Sequence, residues 1–109
     1  MQDFYIYRTV AGKFEPVDAE PVKIEGYDGF DFFVHLNADN EKLWNVSEGI
    51  SGATIAICWH TKEQAIIAAK EKLSTLKQKE IEGLIKEWAL RHGISPMYLS
   101  RLLPSKRKG

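Results

Sequence analysis

Residues 4–59 alternate between apolar and polar positions in short runs, a pattern that is typical of β-strands. Aromatic and β-branched residues dominate the runs, and Gly, Pro, Asn and Asp residues separate them. Residues 14–17 are expected to pair back on the first strand, but Pro16 and Pro21 place this region at an edge or in a loop. The pattern predicts strands at residues 4–10, 22–25, 30–36, 42–47 and 53–59.

Two of the predicted strands are apolar on both faces. Phe4 and Ile6 alternate with Tyr5 and Tyr7, and residues 30–36 show the same two-sided pattern. Burial on both faces requires more cover than one helix provides. We therefore expect an apolar surface that is left over for a partner or for a second subunit.

The period of the apolar positions changes to that of a helix after residue 60. Thr61 and Gln64 have the spacing of a capping box, which predicts a helix start at Thr61. Apolar residues then recur at helical spacing as far as residue 89. A single helix of that length is unusual in a small domain, so we expect a break near Ser74 and Thr75.

Residues 44–76 predict a hairpin followed by a helix. The turn is expected at residues 49–52. This ββα unit, with Trp44, a Ser-Gly hairpin and a Thr-capped helix, resembles units of small proteins from phages and mobile elements, which implies that origin but no activity. The fold class that we expect is α+β, with a mainly antiparallel sheet of four to five strands covered by a helix and followed by a helical hairpin.

Charge is unevenly distributed along the 109 residues, although the net charge is zero. Residues 1–76 contain seven Lys and Arg against twelve Asp and Glu, a balance of −5. Residues 77–109 contain eight against three, a balance of +5. We expect an acidic sheet-plus-helix part and a basic C-terminal part within one compact unit, and a basic end of this kind can mark a nucleic-acid-binding surface.

Composition also bears on location. The sequence has no apolar run of about 18 residues, so no membrane span is predicted. The first residues lack the basic and apolar regions of a secretory signal. Cys58 is the single cysteine, so an internal disulfide is impossible. Together these features favour the cytoplasm.

Residues 84–103 resemble the helix-turn-helix motif of transcription regulators. Ala89 is the small residue at the crossing of the two helices, and Gly93 supplies a left-handed turn. Ile94 is expected to fill the space beneath the turn, while Ser95 and Pro96 suit the start of a second helix. His92 departs from the pattern, because an apolar residue is usual at its position.

The resemblance implies that the second helix enters the major groove of duplex DNA, as a homodimer on a two-fold site. Arg101 is the best candidate for a base contact, because its guanidinium can bond guanine in a bidentate way. The tail would add phosphate contacts that raise affinity without reading sequence. The predicted DNA-binding residues are Ser95, Met97, Tyr98, Ser100, Arg101, Lys106, Arg107 and Lys108.

The alternative is a protein-interaction module, an adaptor or inhibitor that binds another protein through its sheet or helical hairpin. Enzymatic activity is not expected, because no catalytic constellation or phosphate-binding loop is recognisable. Cys58, His60 and His35 lack the spacing of a metal site. No cofactor is predicted.

Overall fold

The structure is a computed structural model that describes residues 4–27 and 29–96. Within them the chain forms six strands and two helices. The strands are β1 (Phe4–Arg8), β2 (Lys13–Val17), β3 (Ala19–Val22), β4 (Phe32–Leu36), β5 (Trp44–Glu48) and β6 (Thr54–Trp59). The helices are α1 (Lys62–Ser74) and α2 (Gln78–His92), and neither has the length and apolar character that crossing a membrane requires.

The strands form two antiparallel sheets. One is the β1–β2 hairpin, and the other has the order β3-β4-β5-β6. The α+β class is therefore confirmed: the second sheet is an antiparallel sheet of four strands, as predicted, and the β1–β2 hairpin forms a separate two-stranded sheet.

The second sheet explains why β4 is apolar on both faces. Phe32 and Val34 belong to the core on the helix side. Phe33 packs with Phe4 and Ile6 of the hairpin, and the rings of Phe4 and Phe33 stack at 4.6 Å. The sequence predicts an apolar surface available to a partner. At Phe33 this surface of β4 is instead covered by the β1–β2 hairpin of the same chain.

The main core lies between the four-stranded sheet and the helices. α1 begins where predicted, because the hydroxyl of Thr61 accepts a hydrogen bond from the Gln64 backbone N–H at 3.0 Å. The predicted break is also confirmed, since α1 ends at Ser74 and α2 begins at Gln78. The buried residues of this core are Ile24, Phe32, Val34, Val46, Ala56, Ala65, Ala69, Leu73, Ile81 and Ile85.

The prediction of a strand at residues 22–25 is wrong. The strand in that region is β3, which ends at Val22 and contains Pro21. β3 is an edge strand, and an edge position tolerates proline because the missing N–H can face away from the ladder. Pro16 lies in β2, the outer strand of the hairpin, for the same reason.

Candidate functional site

The loop between β5 and β6 is held by a buried carboxylate. One oxygen of Glu48 accepts from the Ile50 N–H at 2.6 Å, and the other accepts from the N–H and the hydroxyl of Ser51 at 2.9 and 2.7 Å. Burial raises the pKa of Glu48, an effect that these bonds oppose and the nearby charge of Asp31 reinforces. The Glu48 carboxylate thus holds the backbone of the β5–β6 loop in place through hydrogen bonds.

The same loop connects distant parts of the chain. The Tyr7 N–H of β1 donates to the Gly52 carbonyl at 3.3 Å. The Ser95 N–H, three residues beyond α2, donates to the Ile50 carbonyl at 2.8 Å. The loop therefore ties both the hairpin and the end of α2 to the edge of the four-stranded sheet.

An aromatic cluster joins α2 to the hairpin. The ring of His92 stacks on Tyr7 at 4.2 Å and meets the ring of Trp88 edge-on at 4.6 Å. Tyr7 also contacts Phe14 edge-on at 5.2 Å. His92, which departs from the predicted helix-turn-helix pattern, is a flat ring in contact with two aromatic side chains.

An open groove lies beside this cluster, with a volume of about 490 Å³. We call it the α2 groove. One set of lining residues comes from the β1–β2 hairpin, the β5–β6 loop and the start of β6: Tyr7, Thr9, Gly52, Ala53, Thr54 and Ile55. The other set comes from the helices: Lys72, Leu73, Leu76, Ile81, Leu84, Ile85, Glu87, Trp88 and Arg91. α2 buries Ile81 and Ile85. The neighbouring face of this helix, which carries Leu84 and Trp88, borders the groove.

The helical wall of the α2 groove combines apolar surface with a few polar groups. Leu84 is 57% exposed, although it lies on the same helix as the buried Ile81 and Ile85. The Nε1–H of Trp88 is buried and has no acceptor among the described residues. Lys72 has no ion-pair partner among them either, and Arg91 is paired with Glu87 at 3.1 Å.

The turn after α2 agrees in part with the sequence. Gly93 has a positive φ of 94°, and its N–H donates to the Ala89 carbonyl at 2.7 Å. Ile94, expected beneath the turn, is 36% exposed, whereas Ser95 is fully buried. The interior position is therefore taken by Ser95, whose backbone N–H donates to the Ile50 carbonyl.

One of the eight predicted DNA-binding residues lies in the described part of the chain. This residue, Ser95, is placed inside the fold, so its side chain does not face outward as predicted. The other seven lie outside the described residues: Met97, Tyr98, Ser100, Arg101, Lys106, Arg107 and Lys108. The second helix of the helix-turn-helix motif falls there too and stays a prediction.

The histidines and the cysteine do not converge on a reactive site. His35 accepts a hydrogen bond at Nε2 from the Ser47 hydroxyl, at 2.8 Å, because its Nδ1–H donates to the Leu36 carbonyl. Burial lowers the pKa of His35, against the opposite effect of that carbonyl, and favours the neutral ring. The side chains of His35 and Ser47 are both buried, so neither is accessible to a substrate. No group of three potential metal ligands occurs among the described residues.

Sequence reasoning missed the α2 groove. Leu76, Leu84 and Trp88 have the helical spacing of a core stripe, and periodicity alone does not show how far the helix stands from the sheet. No signal in the sequence reveals the groove, because Ile81, Leu84, Ile85 and Trp88 span an arc of about 100°, which is the width of an ordinary core-facing stripe.

The chain matches no protein-family model, no curated protein and no solved structure with which it was compared. The geometry of the α2 groove is therefore the basis on which its function is inferred.

Proposed function

We propose that this chain is a protein-interaction module that binds an apolar segment of another protein in the α2 groove. The observation that carries the proposal is the groove itself, in which apolar side chains of the helices lie together with Ala53 of the β5–β6 loop and Ile55 of β6. Leu84 in particular remains more than half exposed on this wall. A contiguous apolar surface with polar residues at its rim is typical of protein-interaction sites and ligand-binding grooves.

The size of the α2 groove fits one or two anchoring side chains. Its volume of about 490 Å³ lies within the range of about 300–1,000 Å³ that is usual for binding pockets. Protein partners commonly insert a few large apolar side chains into such a groove, and these anchors provide most of the binding energy. A short apolar helix or an extended segment would satisfy this geometry.

The walls are fixed well enough to select a partner. Gly52 lies against β1, and the Glu48 carboxylate holds the loop that leads into it. His92 is clamped between Tyr7 and Trp88. A groove that is preformed in this way binds with a smaller loss of conformational entropy than a groove that must first be ordered.

A displayed library of random peptides, selected on the full chain, tests the proposal. We expect enrichment of peptides with two or more large apolar residues, and weakening of their binding by at least about tenfold in Leu84→Glu, because a charge then occupies the apolar wall. Leu90→Glu is the matched control. Leu90 lies on the same helix and is 83% exposed, but it does not line the α2 groove.

Binding that Leu90→Glu weakens as much as Leu84→Glu would place the peptides elsewhere on α2 and contradict the proposal. A selection that enriches no peptide above background would contradict it as well. Both variants change an exposed side chain, so thermal unfolding is expected to remain near that of the wild type.

A second candidate function is DNA binding, favoured by the charge of the C-terminal part. Residues 77–109 carry the balance of +5, and on α2 and at its N-cap the cations Lys77, Lys79 and Lys86 are exposed. In this candidate, Arg101 and the tail contact duplex DNA in a homodimer that recognises a two-fold site. Ser95 is no longer included, because it is buried.

The two candidates differ in their response to salt. DNA binding should weaken steeply as salt is raised, and Arg101→Ala should abolish sequence preference, whereas Lys42→Ala, in the acidic part, should not. Fluorescence anisotropy with labelled duplexes measures both effects. The absence of any binding to random or genomic duplexes at low salt would remove this candidate, and Leu84→Glu should leave DNA binding unchanged.

A further inference from the structure

The helical wall of the α2 groove carries a hydrogen-bond donor without an acceptor. The Nε1–H of Trp88 is buried and unpaired among the described residues. A buried donor without a partner destabilises a fold, and native structures contain few of them. The indole that carries this N–H lines the groove, although the N–H itself is closed off from solvent, so a bound molecule supplies the missing acceptor once the ring turns toward it.

The cations on the same wall indicate the chemistry of that acceptor. Lys72 lines the groove and has no ion-pair partner among the described residues. Arg91 also lines it, and its partner Glu87 is a side chain on the surface of the same helix, at a spacing where ion pairs are weak and readily exchanged. Glu87 lines the groove as well, so an anion that enters it would meet two cations and one carboxylate, whose charges leave the lining positive.

We infer that the α2 groove recognises a carboxylate next to the apolar anchors of its partner segment, with the Trp88 N–H and the Lys72 ammonium as the specificity-determining donors. This inference rests on the proposed function. A carboxylate fits both donors, because its two oxygens accept hydrogen bonds and its charge attracts the ammonium. A small movement of the indole toward the bound oxygen gives the buried N–H its partner.

A neutral acceptor such as an amide is the relevant competitor. It would satisfy the Trp88 N–H but gain nothing from Lys72, so the groove discriminates between an acid and its amide through the cation. The discrimination is strongest when apolar anchors have displaced water from the groove, because the charges then interact in a medium of lower dielectric constant. The apolar and ionic parts of the segment therefore act together.

The test uses an enriched peptide and its analogue in which each Glu or Asp is replaced by Gln or Asn. We expect the wild-type chain to bind the acid at least about tenfold more tightly than the amide. Trp88→Phe and Lys72→Gln should each bind the acid more weakly and should reduce the ratio between the two peptides. A residue with a merely structural role would weaken both peptides equally and leave that ratio unchanged.

Two control variants accompany these measurements. Lys70→Gln removes a cation of α1 that does not line the α2 groove, and Trp44→Phe replaces a partly buried tryptophan that packs against the core elsewhere. Both should keep the wild-type ratio between acid and amide. Circular dichroism of all four variants establishes that they are folded before binding is compared.

Three outcomes would overturn the inference. The wild type could bind acid and amide equally, or the Trp88 and Lys72 variants could keep the wild-type ratio; in both cases the apolar groove of the proposed function survives. If instead no peptide binds the wild type at all, the proposed function fails, and the recognition of a carboxylate fails with it.

Discussion

At the scale of single residues, Gly52 is the glycine with a positive φ, among those that the structure describes, where an added side chain would meet other atoms. Its φ of 70° favours glycine, and a Cβ atom there would lie 2.8 Å from the Tyr7 nitrogen and 2.9 Å from a ring carbon of Phe14. The close approach brings the β5–β6 loop against β1, and it thereby forms one side of the α2 groove.

We therefore expect Gly52→Ala to lower the free energy of unfolding by about 2–4 kcal/mol, from backbone strain and overpacking together. Gly12→Ala separates the two effects, because Gly12 has the same φ of 70° and a Cβ atom added there would meet nothing within 4 Å. It should lower stability by only about 1–2 kcal/mol. Urea denaturation measures both variants, and equal losses would show that the contact with Tyr7 and Phe14 is unimportant.

Glu48 gives the fold a dependence on pH. Its folded-state pKa is raised by burial, so between the unfolded and the folded pKa the native state binds a proton that the unfolded state releases. The stabilisation that Glu48 contributes is complete below the pKa of Glu48 in the unfolded state. It is lost as the pH rises through the pKa of Glu48 in the folded state.

The free energy of unfolding of the wild type, relative to Glu48→Gln, should therefore increase as the pH is lowered from about 8 to about 4.5. The comparison with Gln removes contributions that the two proteins share. Denaturant titrations across this range measure the difference, and a difference that stays constant or falls toward acid would contradict the raised pKa.

At the scale of elements, the start of α1 rests on one side chain. The Thr61 hydroxyl accepts from the Gln64 N–H in the first turn, where a helix has no partner of its own for that donor. Thr61→Ala should lower the free energy of unfolding by about 1 kcal/mol, and Thr61→Ser, which keeps the oxygen, should lower it by much less. Thermal unfolding compares the two, and equal losses would assign the effect to the methyl group of threonine.

Local signals in the sequence predict most elements but not their partners. The cap at Thr61, the break after Ser74 and the hairpin of residues 44–59 follow from side chains close to the backbone that they control. The position of β3 was predicted wrongly because Pro21 is compatible with a strand only at an edge, and edge position is a property of the whole sheet.

The candidate site was predictable to a smaller extent. The positive φ at Gly93 follows from the residue type. The burial of Ser95, at the place where Ile94 is predicted, goes with a hydrogen bond to the Ile50 carbonyl, which is distant in sequence. The α2 groove depends likewise on the distance between a helix and a loop of another element. Patterns within one element contain no information on such distances.

At the scale of the whole molecule, the two helices differ in how firmly they belong to the core. α1 buries Ala65, Ala69 and Leu73 against the four-stranded sheet. α2 buries Ile81 and Ile85 and borders the open groove on its next face. Segments with fewer buried contacts open at lower free energy than the rest of a domain.

We expect α2 to open as a unit before the molecule unfolds. In native-state hydrogen exchange, its amides should exchange faster than those of α1 and β4, and their exchange should depend less on denaturant. α1 is the internal control, because it is a helix of similar length in the same molecule. Coincident exchange of the two helices would show that the whole core is a single cooperative unit.

The hydrogen bond from Ser95 to Ile50 has a consequence for the order of events during synthesis. Strands β1 to β6 and helix α1 precede Gln78 in the chain, so a ribosome completes them before it makes α2. Until then the core cluster lacks Ile81 and Ile85, the two residues that α2 contributes to it. At this stage of synthesis we expect part of the core to be exposed to solvent. It becomes covered when α2 packs and the Ser95 N–H reaches the Ile50 carbonyl.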